Sequence, residues 1–242
     1  MTVTLDNQSR RNALNQEMYE FLAGMWPRLA QMAACRVVIL RGGGSEAFCS
    51  GSDLVSKPLQ GANREDLINS ALLKTAYFPK PLIAAVKGVC VGGGLELLLA
   101  SDVRVAGESA RFGLPEVRWG IVPSGGGALK LADQIGHVRA MDLLLSGRLI
   151  GSNEAALAGL VNEVCADDQV WQMAEERAAA IARASPLAVR ATKEIATARS
   201  RQAHRDLQAW EEEIAREVRA TGQYKVGIEA FLTKKTPDYE DS

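Results

Sequence analysis

The spacing of apolar residues predicts short strands and helices in the first half of the chain. Residues 2–5 alternate like a short strand, and residues 13–33 carry apolar side chains at helical spacing. Pro27 is expected to kink or divide that helix. Two continuous apolar runs, at 36–40 and 81–86, are typical of strands that are buried on both faces. The predicted buried face of the helix consists of Leu14, Met18, Phe21, Leu22 and Met25.

Glycines follow each of the two buried runs. They lie at 42–44 and within 88–94, and the second group leads into a short apolar helix at about 93–101. Residues 103–106 and 110–113 have the pattern of further short strands, and helices resume at about residue 125. Repeated strand, loop and helix units of this kind predict an α/β core.

The last third of the chain is predicted to be helical. Helical patterns cover 174–184, 186–220 and 225–232, with no strand pattern after about residue 167. Residues 61–78 are the least regular part of the core, where we expect a mobile loop and a short helix. No linker of low complexity divides the chain, so we predict an α/β core at 1–190 and a helical C-terminal extension at 191–242.

Composition limits the class of protein. The chain has 242 residues, of which 47% are hydrophobic and 24% charged, and 28 Lys and Arg against 29 Asp and Glu give a net charge of −1. This balance argues against general binding to nucleic acid or to a membrane surface. The apolar stretch at 81–100 includes Lys87 and Glu96, which favours buried core with a site over a membrane span.

Cysteine and histidine usage narrows the chemistry. The four cysteines form no CxxC pair, so we expect neither a zinc site nor a disulfide framework, and a reducing cytoplasm fits best. No secretory signal opens the chain. His137 and His204 do not lie beside a plausible nucleophile, which argues against Ser-His-Asp hydrolysis and against a histidine-based metal site.

Two glycine-containing turns are candidates for binding an anion. Residues 92–96 read GGGLE and lead from a predicted buried strand into a helix, whose first N–H groups lack partners within the helix. Residues 48–53 read FCSGSD and also follow a buried strand. A tight turn that needs positive φ explains the three glycines equally well. Neither turn has the spacing of a nucleotide-binding loop.

Two glutamates are candidates for acid–base chemistry. Glu96 lies among leucines near the start of a predicted helix, either facing water in the first turn or placed in an apolar site. Glu116, in the segment FGLPE, could be an ordinary surface residue. If both carboxylates entered one dry pocket, each would raise the pKa of the other. Sequence spacing alone does not show whether they converge.

Several motifs in order resemble the enoyl-CoA hydratase/isomerase, or crotonase, superfamily. They are RNALN at 11–15, AFCSGSDL at 47–54, GGGLE at 92–96, and FGLPE at 112–116 followed by GIVP at 120–123. The resemblance covers almost the whole chain. It implies a repeated ββα spiral core, a helical C-terminal trimerisation region, and a hexamer built from two trimers.

The resemblance also implies an active site. The N–H groups of Ser52 and Gly93 would bind the thioester oxygen of an acyl-CoA, and an oxyanion donor of this kind is typically worth about 2.7–4 kcal/mol. Ser52 replaces the family's usual alanine but keeps the N–H. Glu96 and Glu116 match the glutamates that add water to a trans-2-enoyl-CoA. Ser124 stands where a glycine N–H helps to hold that water.

The resemblance assigns further residues to coenzyme A. Ser52, Asp53, Leu54 and Val55 would line the pantetheine, and Phe231 with Lys234 would approach the adenine or the 3′-phosphate from a neighbouring subunit. The sequence departs from the family pattern at three further points. Ser124 replaces a glycine and Trp119 is bulkier than expected, which bear on the cavity and on the preferred acyl chain. The first strand is shorter than the family's first strand.

These observations together predict a cytoplasmic enoyl-CoA hydratase of fatty-acid, amino-acid or aromatic-acid breakdown. Its partners would be an acyl-CoA substrate and other copies of the same chain, as a trimer or hexamer, without nucleic acid or membrane. No metal or redox cofactor is expected, since coenzyme A is part of the substrate. The alternatives are an enoyl-CoA isomerase and a non-catalytic or RNA-binding relative, although no run of Lys and Arg favours the latter.

Overall fold

The computed structural model describes residues 1–53 and 64–239. They contain nine strands and nine α-helices, with 3₁₀ turns at Gln8–Arg10 and Pro115–Trp119. The strands are β1 (Thr2–Leu5), β2 (Val38–Gly42), β3 (Ala47–Cys49), β4 (Leu82–Val86), β5 (Val89–Val91), β6 (Val103–Gly107), β7 (Arg111–Gly113), β8 (Ile150–Gly151) and β9 (Glu163–Cys165). The helices are α1 (Gln16–Gln31), α2 (Arg64–Ala71), α3 (Gly93–Leu98), α4 (Gly127–Ile135), α5 (His137–Ser146), α6 (Ser152–Leu157), α7 (Val170–Arg183), α8 (Pro186–Ala220) and α9 (Gln223–Thr233).

Consecutive strands enter two different sheets. One sheet has the order β1-β2-β4-β6-β9 and is parallel throughout, while the other has the order β3-β5-β7-β8 and is parallel except for its last pair. From β2 to β7, each turn of the chain therefore places one strand in the larger sheet, the next in the smaller sheet, and then a helical segment. The predicted α/β core of repeated ββα units is confirmed.

The larger sheet is apolar on both faces because both faces are covered. In β2, Val38 and Leu40 enter the main core, whereas Ile39 faces the opposite side, where it packs with Val170 and Ala174 of α7. This double burial explains why the strand reads as a continuous apolar run and not as an alternating one.

The structure differs from the sequence prediction in several elements. Pro27 lies inside α1 but does not divide it. Phe21, which we predicted on the buried face, is 58% exposed, because the face that contacts the core runs through Tyr19, Leu22, Trp26 and Leu29. The short strands β3, β5, β8 and β9 were not predicted, since two or three residues are too few to show a period. The short helix predicted within 61–78 is α2, while residues 61–63 lie outside the described part of the chain.

The long helix α8 contacts the core through polar side chains. Lys193 Nζ lies 2.7 Å from Asp102 Oδ2, and Lys74 Nζ lies 2.8 Å from Glu211 Oε2. The predicted boundary between residues 190 and 191 falls inside α8, and the division into two parts stays a prediction. Among the described residues, none of the helices is both long and apolar enough to cross a membrane.

A buried asparagine joins the N-terminal segment to the sheets. Asn12 is 1% exposed and has φ 56°, a left-handed conformation that asparagine tolerates better than most residues. Its Nδ2 donates to the carbonyl oxygens of Gly43 (2.9 Å) and Ala47 (2.7 Å), and its Oδ1 accepts from Asn7 N (3.0 Å). These bonds hold the segment before α1 against the end of β2 and the start of β3.

Replacing this asparagine tests how much the N-terminal segment contributes. Asn12→Ala leaves three buried backbone groups without their partner, so we expect the free energy of unfolding in urea to fall by about 2–4 kcal/mol. The exposed Asn153→Ala is the matched control and should change stability by less than about 1 kcal/mol. Equal, small effects of both substitutions would show that water replaces the Asn12 bonds at little cost.

Candidate active site

Two backbone N–H groups lie close together after neighbouring strands of the smaller sheet, β3 and β5. A β-carbon placed on Gly93 would lie 3.7 Å from Ser52 N, so the start of α3 and the turn after β3 are in contact. Leu14 N donates to Gly51 O (2.8 Å) and Leu14 O accepts from Asp53 N (3.0 Å). Because this parallel bridge uses the residues on either side of Ser52, the Ser52 N–H faces the other way. Neither it nor the Gly93 N–H has an acceptor in the described part of the chain.

Glycine is required where these two turns meet. Gly51 has φ 93°, and a β-carbon there would lie 3.4 Å from Gly93 N. A β-carbon on Gly94 would overlap the carbonyl of Cys49, so α3 packs directly on the end of β3. The sequence left a tight turn and an anion-binding turn as equal alternatives. In the structure, the same glycines make the turn and expose the N–H groups.

Glu96 is a buried carboxylate held by backbone donors. It is 5% exposed on α3, and its Oε1 accepts from Gly125 N (2.6 Å) and Gly127 N (3.2 Å), just before and at the start of α4. Burial raises the pKa of Glu96, and the two N–H donors oppose that rise. The side chain therefore lies in the apolar interior, which decides between the two positions that the sequence allowed.

Glu116 approaches the same space from the 3₁₀ turn after β7. A β-carbon on Gly92 would lie 3.2 Å from its Oε1, next to the first residue of α3. Its Oε2 is shielded from solvent and has no hydrogen-bond partner among the described residues. Burial, and then the charge of Glu96, raise the pKa of Glu116. The two carboxylates thus converge beside the Ser52 and Gly93 N–H groups.

Comparison with known proteins shows the family to which the chain belongs. The profile of the family described as enoyl-CoA hydratase/isomerase matches residues 1–242. The chain belongs to this family. It is 37% identical to enoyl-CoA hydratase EchA19 of Mycobacterium tuberculosis (100% of this chain, 93% of the relative) and 36% identical to 2,3-dehydroadipyl-CoA hydratase of Escherichia coli (99% and 94%). A crystal structure of carnitinyl-CoA hydratase from Mycobacterium avium superposes with a TM-score of 0.92 at 30% identity, covering 99% of this chain and 94% of that one.

The family resemblance predicted a water-holding N–H at Ser124. In the structure, Ser124 N donates to Val122 O (2.8 Å), and the loop's donors to Glu96 are Gly125 and Gly127. Ser124 is half-buried and lies next to this carboxylate-binding loop. Its role in holding water stays a prediction.

The predicted coenzyme A residues are in three places. Asp53 is half-buried beside Ser52, while Leu54 and Val55 lie outside the described residues. Phe231 and Lys234 are exposed at the end of α9. The Phe231 ring packs edge-on against Trp119 with centroids 5.0 Å apart, which joins α9 to the turn that carries Glu116. The assignments to coenzyme A stay predictions.

Sequence reasoning missed Tyr19. Its ring is fully buried on α1, and its hydroxyl lies 2.8 Å from Ser52 Oγ, so it holds the side chain of a predicted oxyanion residue. A buried tyrosine hydroxyl needs a hydrogen-bond partner, which was the available signal. The partner lies 33 positions further along the chain, and only the fold brings the two residues together.

The raised pKa of Glu116 predicts a pH-dependent effect on stability. A carboxyl group with a raised pKa contributes most to stability below its ordinary value of 4.5, and that contribution is lost as pH rises through the raised value. Glu116→Gln cannot ionise. We therefore expect its free energy of unfolding, relative to wild type, to be higher at about pH 9 than at about pH 5.

Urea unfolding of both proteins at the two pH values measures this difference. The exposed Glu217→Gln on α8 is the control for losing one negative charge without burial. If Glu116→Gln and Glu217→Gln showed the same pH dependence, ionisation of Glu116 would not oppose folding.

Proposed function

We propose that this chain is an enoyl-CoA hydratase, which adds water across the 2,3 double bond of a 2-enoyl-CoA thioester. The observation that carries the proposal is the convergence of the buried Glu96 and the half-buried Glu116 beside two backbone N–H groups that have no acceptor among the described residues. The relatives named above differ in the acyl group that their names specify, so those names leave the acyl group of this enzyme open.

The two N–H groups suit the charge that develops in this reaction. Attack of water on Cβ of a 2-enoyl thioester moves electrons to the thioester oxygen, so the transition state is similar to an enolate. The N–H groups of Ser52 and Gly93 would donate to that oxygen without reorganisation, as fixed donors in an oxyanion hole do. Ser52 supplies a backbone group, so its side chain remains free to bond with Tyr19.

The surroundings of the glutamates distinguish their roles. Two backbone donors stabilise ionised Glu96, which can accept a proton from water as the oxygen attacks Cβ. The Oε2 of Glu116 has no donor among the described residues, and Glu116 lies near the charge of Glu96, so it holds its proton and can deliver it to Cα. The addition leaves Glu96 protonated and Glu116 ionised, and exchange of protons with solvent restores both.

Substitution of each glutamate tests the mechanism. Glu96→Gln and Glu116→Gln should each lower kcat for hydration of a 2-enoyl-CoA by about 10²–10⁴-fold, since each removes one acid–base group. The kcat of the double variant should be only slightly below that of the less active single variant, because both glutamates act on one water molecule. Absorbance of the conjugated enone and the mass of the product report the reaction.

The same variants separate hydration from isomerisation. A hydratase gains the mass of water, whereas an isomerase converts a 3-enoyl-CoA to a 2-enoyl-CoA at constant mass and needs one proton-shuttling glutamate. Wild-type protein that isomerises a 3-enoyl-CoA but adds no water to any 2-enoyl-CoA would overturn the proposal. Undiminished hydration by either single variant would remove that glutamate from the mechanism.

We also propose that the chain assembles as a trimer or as a hexamer of two trimers. Exposed apolar side chains on α8 support this, because Ile195 is 77% exposed and Trp210 is 59% exposed in the single chain. Light scattering at micromolar concentration should give the mass of three or six chains. Trp210→Asp should lower that mass, while the neighbouring exposed Glu213→Ala should not. A wild-type monomer would contradict the proposal.

The same proposal extends to compartment and cofactor. Four free cysteines, three of them buried, suit a reducing compartment, and we place the enzyme in the cytoplasm. The proposed addition of water transfers protons and no electrons. Its steps therefore call for no redox cofactor, and coenzyme A enters as part of the substrate.

A further inference from the structure

A cavity beside the proposed active site is lined by three arginines. It has a volume of about 420 Å³ and lies between α2 and the second half of α8. One wall is Ser124, which directly precedes the Gly125 N–H donor to Glu96. Ile68 and Ala215 give it apolar surface. The arginines that line it are Arg64, Arg216 and Arg219.

Arg64 has one donor that nothing in the described part of the chain accepts. Its Nε is shielded from solvent and has no hydrogen-bond acceptor among the described residues, and its guanidinium forms no ion pair there. Burial, and then the nearby charge of Arg219, lower the pKa of Arg64. Residues 54–63, which precede it, contain no Asp or Glu in their sequence. The nearby charge of Glu65 opposes the fall in the pKa of Arg64 but does not cancel it.

The acidic residues around the cavity are exposed or already occupied. Glu212 Oε1 accepts from Asn69 (2.8 Å) and Gln208 (2.9 Å), and Lys74 Nζ lies 3.3 Å away. Glu65 and Asp66 also line the cavity and are exposed at the start of α2, and the charge of Glu65 acts on Arg64. Since none of these carboxylates accepts from the shielded Arg64 Nε, that donor is left for a ligand.

Arg64 is also close to the proposed position of the thioester. It lies within electrostatic range of Tyr19, whose hydroxyl bonds Ser52 Oγ. An acyl group that extended from the thioester oxygen past Glu96 and Ser124 would enter the cavity with its far end. The apolar wall suits methylene groups, and the guanidinium groups suit an anionic terminus.

We infer that the acyl group of the substrate ends in a carboxylate, which Arg64 binds with the support of Arg216 and Arg219. This inference rests on the proposed hydratase function and names its substrate class. A planar guanidinium presents paired donors that match both oxygens of a carboxylate. A methyl terminus would instead leave the shielded Nε of Arg64 without an acceptor, so the site selects against it.

A matched pair of substrates tests this specificity. We compare 2-hexenoyl-CoA with its analogue that carries a carboxylate in place of the terminal methyl group. Wild type should hydrate the carboxylate substrate with a kcat/KM about 10- to 100-fold higher, as expected for a charge-assisted pair. Equal values, or a preference for the methyl substrate, would overturn the inference while leaving the hydratase function intact.

Variants identify the arginine that is responsible. Arg64→Gln should reduce the ratio of the two kcat/KM values about 10-fold or more, and Arg219→Gln should reduce it less. Arg205→Gln, an exposed arginine of α8 outside the cavity, should leave the ratio and the activity as in wild type. If Arg64→Gln lowered both kcat/KM values equally, Arg64 would have only a structural role and the inference would fail.

Binding of unreactive ligands tests recognition of the carboxylate separately from the hydratase reaction. Calorimetry with hexanoyl-CoA and its carboxylate-terminated analogue requires no catalysis. Tighter binding of the carboxylate ligand by wild type, lost in Arg64→Gln, would support the inference even if the reaction were isomerisation. Equal binding of the two ligands would overturn it even if both unsaturated substrates were hydrated.

Discussion

The site depends on keeping the Glu96 carboxylate in an apolar interior. A carboxylate cannot be buried among leucines unless hydrogen-bond donors replace the water that it loses. Gly125 and Gly127 supply two such donors at one oxygen, and they can approach so closely because neither has a side chain. The loop before α4 is therefore tied to α3, and the shape of the cleft follows from this contact.

The two-sheet spiral determines which groups face that cleft. Strands β3, β5 and β7 are neighbours in the smaller sheet, so the segments that follow their carboxyl ends lie side by side. Those segments carry Ser52, Gly93 and Glu116 respectively. Residues that are separated by some twenty to forty positions in the chain thus meet because the same unit repeats and its strands pair in parallel. Glu96 joins them one turn into α3.

Charge within and around the cleft is distributed unevenly. Burial raises the pKa of both glutamates, and the charge of Glu96 raises that of Glu116 further, whereas burial and the nearby charge of Arg219 lower the pKa of Arg64. Helix α8, which contacts its own core mainly through polar groups, supplies Arg216 and Arg219 to the cavity. Catalysis and recognition of the acyl end would therefore draw on different elements, the spiral core and the C-terminal helix.

The sequence by itself determined the class of fold, because continuous apolar runs, glycine-rich turns and a helical tail are local patterns. It also supplied both glutamates and both backbone donors, through motifs whose order resembles a known family. Only the tertiary structure decided that Glu96 points inward, that Glu116 reaches the same cleft, and that Phe21 faces solvent. It also revealed the Tyr19 bond to Ser52 and the Arg64 Nε, which has no acceptor among the described residues. These depend on contacts between residues distant in the chain, which burial and packing select and local periodicity does not record.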